Sequence, residues 1–526
     1  MTDSFVLVDR PWIPCERIDG SVVELSTHDT LVEAHQLRSI VDASPLVPAV
    51  LIRHLLAVVH RVVAGPSDFE AWADIVRHGR FESSAVAAYL AKVRDRMDLF
   101  HPEHPFGQVR GLVEQFGEYL DPIDQLGIER SNWGGARSLF QHRPSDHAPR
   151  MSPAEAARTL LVHHAFATGG LVKKPNEPTS ATAAPLVRSG VIVLKGPTLF
   201  QTLTANLLPY APQMDLPIPS QPDDAPSWER PPLPRQLRQA DEPKRTPRGW
   251  LELLTWLSRR LELVHEGPWV TSYVRAVGQG LTDPAPEDPM VAYRLDEKRG
   301  RVSLGIDPER AFWRNANALF ESAKSPARRH IRPKALDHVG SLEARDVVGE
   351  RAAFQIELTG LAAEKSRLDA VRVERVWAMA RHLDSPDARA AVDTLLTTAS
   401  ACVSALRSAL WVYARHLLSE GSRDPATADI GNLVTSLHAE PALWAALGVE
   451  FDVATRAFDD GFDAATAAFA RRAFHLTREA LTRATAGGDD VARSLKARAL
   501  ADRSLAISLA ELAKSASPTT EETSHA

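Results

Sequence analysis

Hydrophobic positions near the N-terminus follow the pattern of short strands. Residues 5–8 form an apolar run that ends at Asp9-Arg10-Pro11, and two further strand-like segments flank Asp19-Gly20. An Asp-Gly pair between such segments is a strong signal for a tight hairpin turn. From residue 44 to residue 63 the apolar residues instead recur every three or four positions, as in an amphipathic helix. The opening of the chain therefore predicts a β-hairpin followed by helices.

The middle of the chain is irregular. Residues 211–248 are crowded with proline, which removes backbone donors and predicts a long extended connection. A helical pattern resumes over residues 250–265, and strands are predicted at 269–277 and 290–295. Residues 354–358 have the pattern of a strand, and we expect residues 359–366 to form the turn after it.

After about residue 366 the chain is rich in alanine, leucine and arginine. Apolar residues step by three or four positions along one face from Leu395 to Leu417, and again from Phe458 to Ala473. We therefore predict an α+β protein with a large mixed N-terminal domain (residues 1–365) followed by a C-terminal four-helix bundle (residues 366–516). The polar tail, residues 517–526, is expected to be disordered.

Composition narrows the class of protein. Among 526 residues the formal net charge is -6, so any nucleic-acid site must be a local patch. The two cysteines, Cys15 and Cys402, exclude a disulfide framework and a cysteine zinc site. No signal peptide is visible, and no apolar run reaches the roughly 18 residues of a membrane span. We expect a cytoplasmic protein with no membrane partner.

One segment suggests metal chemistry. His101, Glu103 and His104 lie within four residues, but Pro102 and Pro105 prevent the helix on which paired histidines would share a face. A rigid turn with the histidines hydrogen-bonded to the backbone is the preferred interpretation, and a metal-dependent hydrolase using these three residues is the alternative. Neither a phosphate-binding loop nor a nucleophile motif is present, so we predict no catalytic residues, no metal and no cofactor.

Local basic clusters favour a nucleic-acid contact instead. Gly169-Gly170 is followed almost directly by Lys173-Lys174. Glycine lets a ligand come close to the backbone, and the two lysines can neutralise phosphate charge. In the last predicted helix Arg493, Lys496 and Arg503 lie on one side. Each such cluster alone is more often a solvated surface than a binding site.

Two segments, "FVLVDRPWIP" and "LFHPEHPFGQ", together with the order of the two domains, resemble one family. It is the large subunit (CasA family) of the type I-E CRISPR surveillance complex Cascade. The resemblance implies a non-catalytic subunit that recognises the protospacer-adjacent motif (PAM) in double-stranded DNA, starts duplex opening for R-loop formation and recruits a helicase-nuclease. The implied partners are the DNA target, a guide RNA and other Cascade subunits. A scaffold subunit without DNA contact remains a further alternative.

The resemblance also implies site residues. A glycine loop entering the minor groove corresponds to Thr168, Gly169 and Gly170 with Lys173 and Lys174, and a basic finger corresponds to Arg275. The remaining implied sites are a wedge at Glu364, Lys365 and Ser366, and a guide-RNA contact at Arg137, Phe140, Gln141 and His142. The basic face of the last helix is a hypothesised contact to DNA or to neighbouring subunits.

Overall fold

A computed structural model describes residues 4–129, 149–172, 174–237, 244–323, 328–364, 367–419, 424–487 and 492–516. The tail predicted to be disordered, residues 517–526, lies outside these ranges. The chain divides into two compact units. The mixed unit comprises Met1–Phe312 and Glu321–Asp384. The helical unit comprises Ser385–Ala526 together with the upstream segment Trp313–Phe320.

Strands are confined to the mixed unit in the described part of the chain. They are β1 (Ile13–Arg17), β2 (Val22–Leu25), β3 (Leu37–Ile40), β4 (Asp121–Pro122), β5 (Gly170–Leu171), β6 (Ser180–Ala181), β7 (Val191–Lys195), β8 (Lys244–Arg245), β9 (Arg259–Glu266), β10 (Trp269–Val277), β11 (Gly280–Leu281), β12 (Tyr293–Asp296), β13 (Gly300–Ser303), β14 (His330–Ile331), β15 (Ala353–Glu364) and β16 (Arg367–Met379). They pair in small sheets with the orders β2-β1-β3, β4-β10-β9, β11-β8, β13-β12-β14, β16-β15-β7 and β5-β6.

Helices occur in both units. They are α1 (Thr27–Val32), α2 (Leu46–Val62), α3 (Phe69–His78), α4 (Ser83–Val93), α5 (Leu112–Phe116), α6 (Pro153–Phe166), α7 (Leu199–Asn206), α8 (Trp250–Leu254), α9 (Asn317–Phe320), α10 (Lys334–Gly340), α11 (Leu342–Val348), α12 (Ala380–Leu383), α13 (Pro386–Leu418), α14 (Thr427–Ser436), α15 (Ala439–Arg456), α16 (Phe462–Thr485) and α17 (Ala492–Ala516). Helices α9 and α13–α17 belong to the helical unit. This content confirms the predicted α+β class.

The predicted N-terminal hairpin is confirmed by β1 and β2. Gly20 adopts a φ of 88°, and the Asp19 carboxylate accepts the Ser21 amide at 2.9 Å, which closes the turn. Trp12, just before β1, is fully buried and donates its Nε1–H to the carbonyl of Leu7 at 3.0 Å. The Trp12 indole thereby fastens the N-terminal segment to the hairpin, because a buried indole N–H needs an acceptor.

Helix α2 runs through the core of the mixed unit and is buried on nearly every side. Its buried residues include charged Arg53, whose guanidinium pairs with Asp288 at 2.9 Å. A helix that is apolar nearly all round belongs inside a large core, and here the buried charge of Arg53 is balanced by Asp288. The helix predicted over residues 44–63 is confirmed.

The helix predicted over residues 250–265 is wrong for most of its length. Helix α8 ends at Leu254, and residues 259–266 form β9, which pairs antiparallel with β10 from Trp269↔Glu266 to Val277↔Arg259. The leucines of this segment satisfy a helical period, yet Leu261 and Leu263 also alternate as a strand requires. Cross-strand pairing with β10 decides between the two periods.

The turn predicted at residues 359–366 is also wrong over most of its length. Strand β15 continues to Glu364 and pairs with β16 from Ala353↔Met379 to Glu364↔Arg367. A domain boundary at residue 365 would therefore separate β15 from β16, the strand with which it pairs. The contacts place the boundary between Asp384 and Ser385 instead.

The helical unit is built around α13. The residues predicted to form its apolar face, including Leu395, Ala399, Cys402, Leu406 and Leu410, are buried. Helices α15, α16 and α17 pack with α13 as the other long helices, as predicted for the bundle, and the shorter α14 joins them.

The upstream segment completes this unit. The Trp313 ring lies 5.1 Å from the Phe451 ring and 5.7 Å from the Trp444 ring, measured between centroids. A Cβ atom at Gly448 would come within 2.8 Å of the Trp313 Nε1 atom, so glycine is required where the indole meets α15.

Helix α13 is long and apolar enough to cross a membrane by length and composition. The same property is typical of a core helix in a helical bundle. In the described residues α13 contacts α15, α16 and α17, and its apolar face is buried among them.

Candidate nucleic-acid interface

The hairpin of β9 and β10 supports the predicted finger residue. Arg275 lies opposite Leu261 in the ladder, and two residues earlier Tyr273 pairs with Asp121 of β4 on the other side of β10. Val274 and Ala276, which flank Arg275, are buried in a small apolar cluster with Val109, Leu112 and Phe116. Alternation along the strand therefore turns Arg275 away from that cluster.

The Arg275 side chain is already paired. Its Nε atom lies 3.3 Å from the Asp121 carboxylate, and about one fifth of the side chain is exposed (20%). The sequence placed Arg275 on a finger or on an exposed strand, whereas the structure gives it a partly buried position beside a carboxylate. An anion that contacts Arg275 must therefore compete with Asp121.

The glycine loop forms at β5 and β6. Gly170 has a φ of 155°, a backbone conformation that residues with a Cβ atom rarely adopt. A Cβ atom at Gly169 would lie 3.0 Å from the Ala183 nitrogen and 3.2 Å from the Ala181 carbonyl oxygen. Both glycines are therefore required by the close approach and conformation of this loop, and Leu171 beside them is exposed.

Lys174 packs against Tyr119, two residues before the Asp121 carboxylate that pairs with Arg275. The Lys174 ammonium is 4.6 Å from the centroid of the Tyr119 ring, a cation–π contact. Burial lowers the pKa of Lys174 and the charge of Arg275 lowers it further, while Asp121 raises it. Lys174 and Arg275 thus contact one short segment, Lys174 at Tyr119 and Arg275 at Asp121. Lys173 lies outside the described residues.

Arg259 holds the glycine loop and was missed by the sequence analysis. Its guanidinium donates to the carbonyls of Thr168 at 2.9 Å and Thr182 at 2.8 Å. Burial lowers the pKa of Arg259 to about 10, with a contribution from Arg275. The sequence predicted a helix over this segment, and the role of Arg259 was therefore missed. The Arg259 side chain reaches the loop because residues 259–266 form a strand.

The predicted wedge begins at the end of β15. Glu364 ends β15 and pairs with Arg367. Lys365 and Ser366 lie outside the described residues, and only the backbone of Glu364 is described. The predicted guide-RNA contact at Arg137, Phe140, Gln141 and His142 also lies outside them. The wedge and guide assignments stay predictions.

The predicted basic face of the last helix is exposed. Arg493, Lys496 and Arg503 lie at the surface of α17 with spacings of three and seven residues. The other side of the helix is buried at Ser494, Ala497, Ala501, Leu505 and Leu509. The three basic side chains therefore point away from the core of the helical unit.

The His101 segment forms a turn. The Nδ1 atom of His101 accepts the amide hydrogens of Glu103 at 3.2 Å and of His104 at 3.0 Å. The rings of His101 and His104 stack nearly parallel, with centroids 5.8 Å apart. The His101 ring thus makes the backbone hydrogen bonds of the preferred interpretation, whereas the His104 Nδ1 atom has no hydrogen-bond partner in the described residues. Within the described ranges no group of three or more histidine, cysteine, aspartate and glutamate side chains is arranged to hold a metal ion.

A family model described as CRISPR-associated protein Cse1 matches residues 7–485. The chain belongs to the Cse1 family. This confirms the resemblance seen in the sequence, and it makes the chain a Cse1/CasA large subunit of Cascade.

Relatives of this Cse1 chain agree with the assignment. The chain is 33% identical over 456 residues to the CRISPR-associated protein CasA/Cse1 of Thermus thermophilus, covering 85% of this chain and 86% of the relative. A crystal structure of Thermus thermophilus CasA matches with a TM-score of 0.78 at 31% identity, over 97% of this chain and 100% of that one. A chain of a CRISPR RNA-guided surveillance complex shares the fold, with a TM-score of 0.75 at 19% identity, over 96% of this chain and 99% of that one.

Proposed function

We propose that the chain reads a short motif in double-stranded DNA for an RNA-guided complex, using the loop of β5 and β6 and the hairpin of β9 and β10. One observation supports the proposal: Lys174, which follows Gly169-Gly170 in the sequence, contacts Tyr119, and Arg275 pairs with Asp121 two residues further along the same segment. Glycines permit a close approach of backbone to DNA, and the narrow minor groove attracts cations.

Asp121 gives this site a means of discrimination. In the free chain Asp121 neutralises part of the charge of Arg275 and Lys174. Nonspecific phosphate contacts must compete with this carboxylate, whereas a correctly shaped groove offers several contacts at once. The minor groove carries a degenerate code, so tolerance of related motifs is expected.

The proposed role is non-catalytic and cytoplasmic. Motif binding precedes separation of the first base pairs, which costs a few kcal/mol per step that new contacts and guide pairing must offset. The proposed wedge comprises Glu364, at the end of β15, with Lys365 and Ser366. Recruitment of a helicase-nuclease follows R-loop formation. The partners are the guide RNA and the other Cascade subunits, with Arg493, Lys496 and Arg503 as a contact to DNA or to a neighbouring subunit.

Replacement of Arg275 by alanine is expected to weaken binding to a duplex with the preferred motif by about 1 kcal/mol, roughly fivefold. Gly170→Asp should weaken it at least as much, because it adds both backbone strain and a negative charge. The assay is an electrophoretic mobility shift at fixed salt with the chain assembled with guide RNA and the other subunits. A set of duplexes that differ only in the motif identifies the preferred sequence beforehand.

Arg17→Ala is a matched control. Arg17 pairs with Glu33 at 3.1 Å and also has a partly exposed side chain. Arg17→Ala should leave the affinity unchanged, and none of the three variants should alter assembly of the complex. Unchanged affinity in both Arg275→Ala and Gly170→Asp would refute the proposal. Binding that is insensitive to salt would instead favour a scaffold without DNA contact.

A further inference from the structure

Arg259 is a buried cation whose hydrogen bonds all go to the main chain in the described residues. It is 2% exposed. Its Nη1 atom donates to the carbonyl of Ser258 at 2.8 Å, and its Nη2 atom lies 2.9 Å from the Thr168 carbonyl, 3.3 Å from that of Ala167 and 2.8 Å from that of Thr182. Buried arginines usually pair with acids, so this arrangement leaves a positive charge uncompensated inside the unit.

The Nη2 atom of Arg259 contacts three carbonyls, and these belong to the two ends of one loop. Ala167 and Thr168 precede the strand pair of β5 and β6, and Thr182 follows it. One guanidinium therefore joins the two stems of the glycine loop. The backbone adds one further tie, from the Ala184 amide to the Ala167 carbonyl at 2.8 Å.

The direction of these carbonyls fixes the direction of the neighbouring amides. In a planar trans peptide the C=O and N–H groups point to opposite sides. When the Thr168 carbonyl points at Arg259, the Gly169 N–H points away from it. Arg259 thus determines the direction in which the Gly169 N–H group points.

Two glycines make room for the packing around Arg259 and Thr182. A Cβ atom at Gly278 would lie 2.5 Å from the Arg259 Cα atom, and a Cβ atom at Gly280 would lie 2.3 Å from the Thr182 Oγ1 atom. The connection from β10 to β11 therefore packs directly on the arginine and on the loop stem that it binds.

We propose that Arg259 is a positioning residue for motif reading: it fixes the glycine loop in the conformation that enters DNA and adds a positive charge behind the loop. This inference rests on the proposed function. Arg259 does not touch DNA in this scheme. It acts through Thr168, Gly169 and Thr182, and it is distinct from Arg275 and Lys174, which contact the ligand.

The test separates the geometric role of Arg259 from its charge. Arg259→Lys keeps a positive charge, but a single ammonium cannot replace the two-nitrogen fork that reaches Ser258 and both loop stems. In the assembled complex we expect the affinity for the preferred-motif duplex to fall about tenfold, as for the loss of one or two charged hydrogen bonds. The affinity for a duplex without the motif should not change.

A second measurement follows the loop itself. Amide hydrogen exchange of the full chain should accelerate over residues 168–183 in Arg259→Lys and remain unchanged elsewhere. Arg96→Lys is the matched control, since Arg96 also donates to two carbonyls, those of Trp228 at 3.2 Å and Arg230 at 2.7 Å. It should leave both loop exchange and motif discrimination unaltered.

The outcomes distinguish the inference from the proposed function. If Arg259→Lys lowers affinity for both duplexes equally, Arg259 is only structural and the inference is wrong. The same holds if Arg259→Lys keeps full discrimination while Gly170→Asp and Arg275→Ala lose it. If all three variants keep it, the proposed function is wrong and the inference falls with it.

Discussion

Replacing Arg260 with methionine is expected to lower the free energy of unfolding by about 3–5 kcal/mol. The side chains of Arg260 and Glu177 are fully buried and form an ion pair. Arg260 also donates to the carbonyls of Val277 at 2.6 Å and Arg235 at 2.8 Å. Methionine would leave a buried carboxylate without its counter-charge. Urea unfolding followed by tryptophan fluorescence measures the change.

The double variant Arg260→Met with Glu177→Leu provides the control. It removes both charges, so more than half of the lost stability should return. Arg77→Met is a surface comparison, because Arg77 pairs with Asp74 at 3.0 Å with more than half of its side chain exposed; its loss should be about 0–1 kcal/mol. A double variant as unstable as Arg260→Met alone would contradict the explanation.

Lowering the pH from 7 to 5 is expected to destabilise the fold by about 1–2 kcal/mol for each buried neutral histidine. Burial lowers the pKa of His54 to about 3 and, against a backbone hydrogen bond that raises it, the pKa values of His60 and His164 to about 4. In the unfolded chain these rings titrate near the ordinary histidine pKa of 6.5. Between these values the unfolded chain binds protons that the folded chain does not. Stability is therefore full above pH 6.5 and falls as the pH drops.

His54→Phe isolates this effect from the titration of carboxylates. In the described structure the His54 ring nitrogens have no hydrogen-bond partner, and the ring packs against Trp12, Phe106 and Trp228. Between pH 7 and pH 5, the unfolding free energy of the variant should fall by about 1–2 kcal/mol less than that of the parent chain. Equal slopes in His54→Phe and the parent would show that His54 is not responsible.

The sequence predicted correctly the elements whose conformation depends mainly on neighbouring residues in the chain. The Asp19-Gly20 turn, helix α2, strand β10 and the apolar face of α13 are of this kind. Strand β9 was missed because its leucines fit both periods, and only β10, its pairing partner, decides between them. The length of the hairpin of β15 and β16 likewise depends on a partner strand, and this error moved the predicted domain boundary.

The candidate site divides in the same way. Gly169, Gly170 and Arg275 became candidates through the family resemblance, and the structure puts Lys174 against Tyr119 and Arg275 against Asp121. Asp121, Tyr119 and Arg259 were missed, because their role depends on contacts between distant parts of the chain. No spacing in the sequence links Arg259 to Thr168 or Asp121 to Arg275.

The segment Trp313–Phe320 also sets an order for synthesis. It leaves the ribosome before the last hairpin of the mixed unit and before all of α13–α17, with which it shares a core. Trp313 must therefore wait, without its partners Trp444 and Phe451, while the remainder of the mixed unit is translated. A fragment that begins at Ser385 would lack Trp313, so the space that the indole occupies beside Gly448 would be empty. The helical unit is therefore not one continuous stretch of the chain, because one of its segments is translated within the mixed unit.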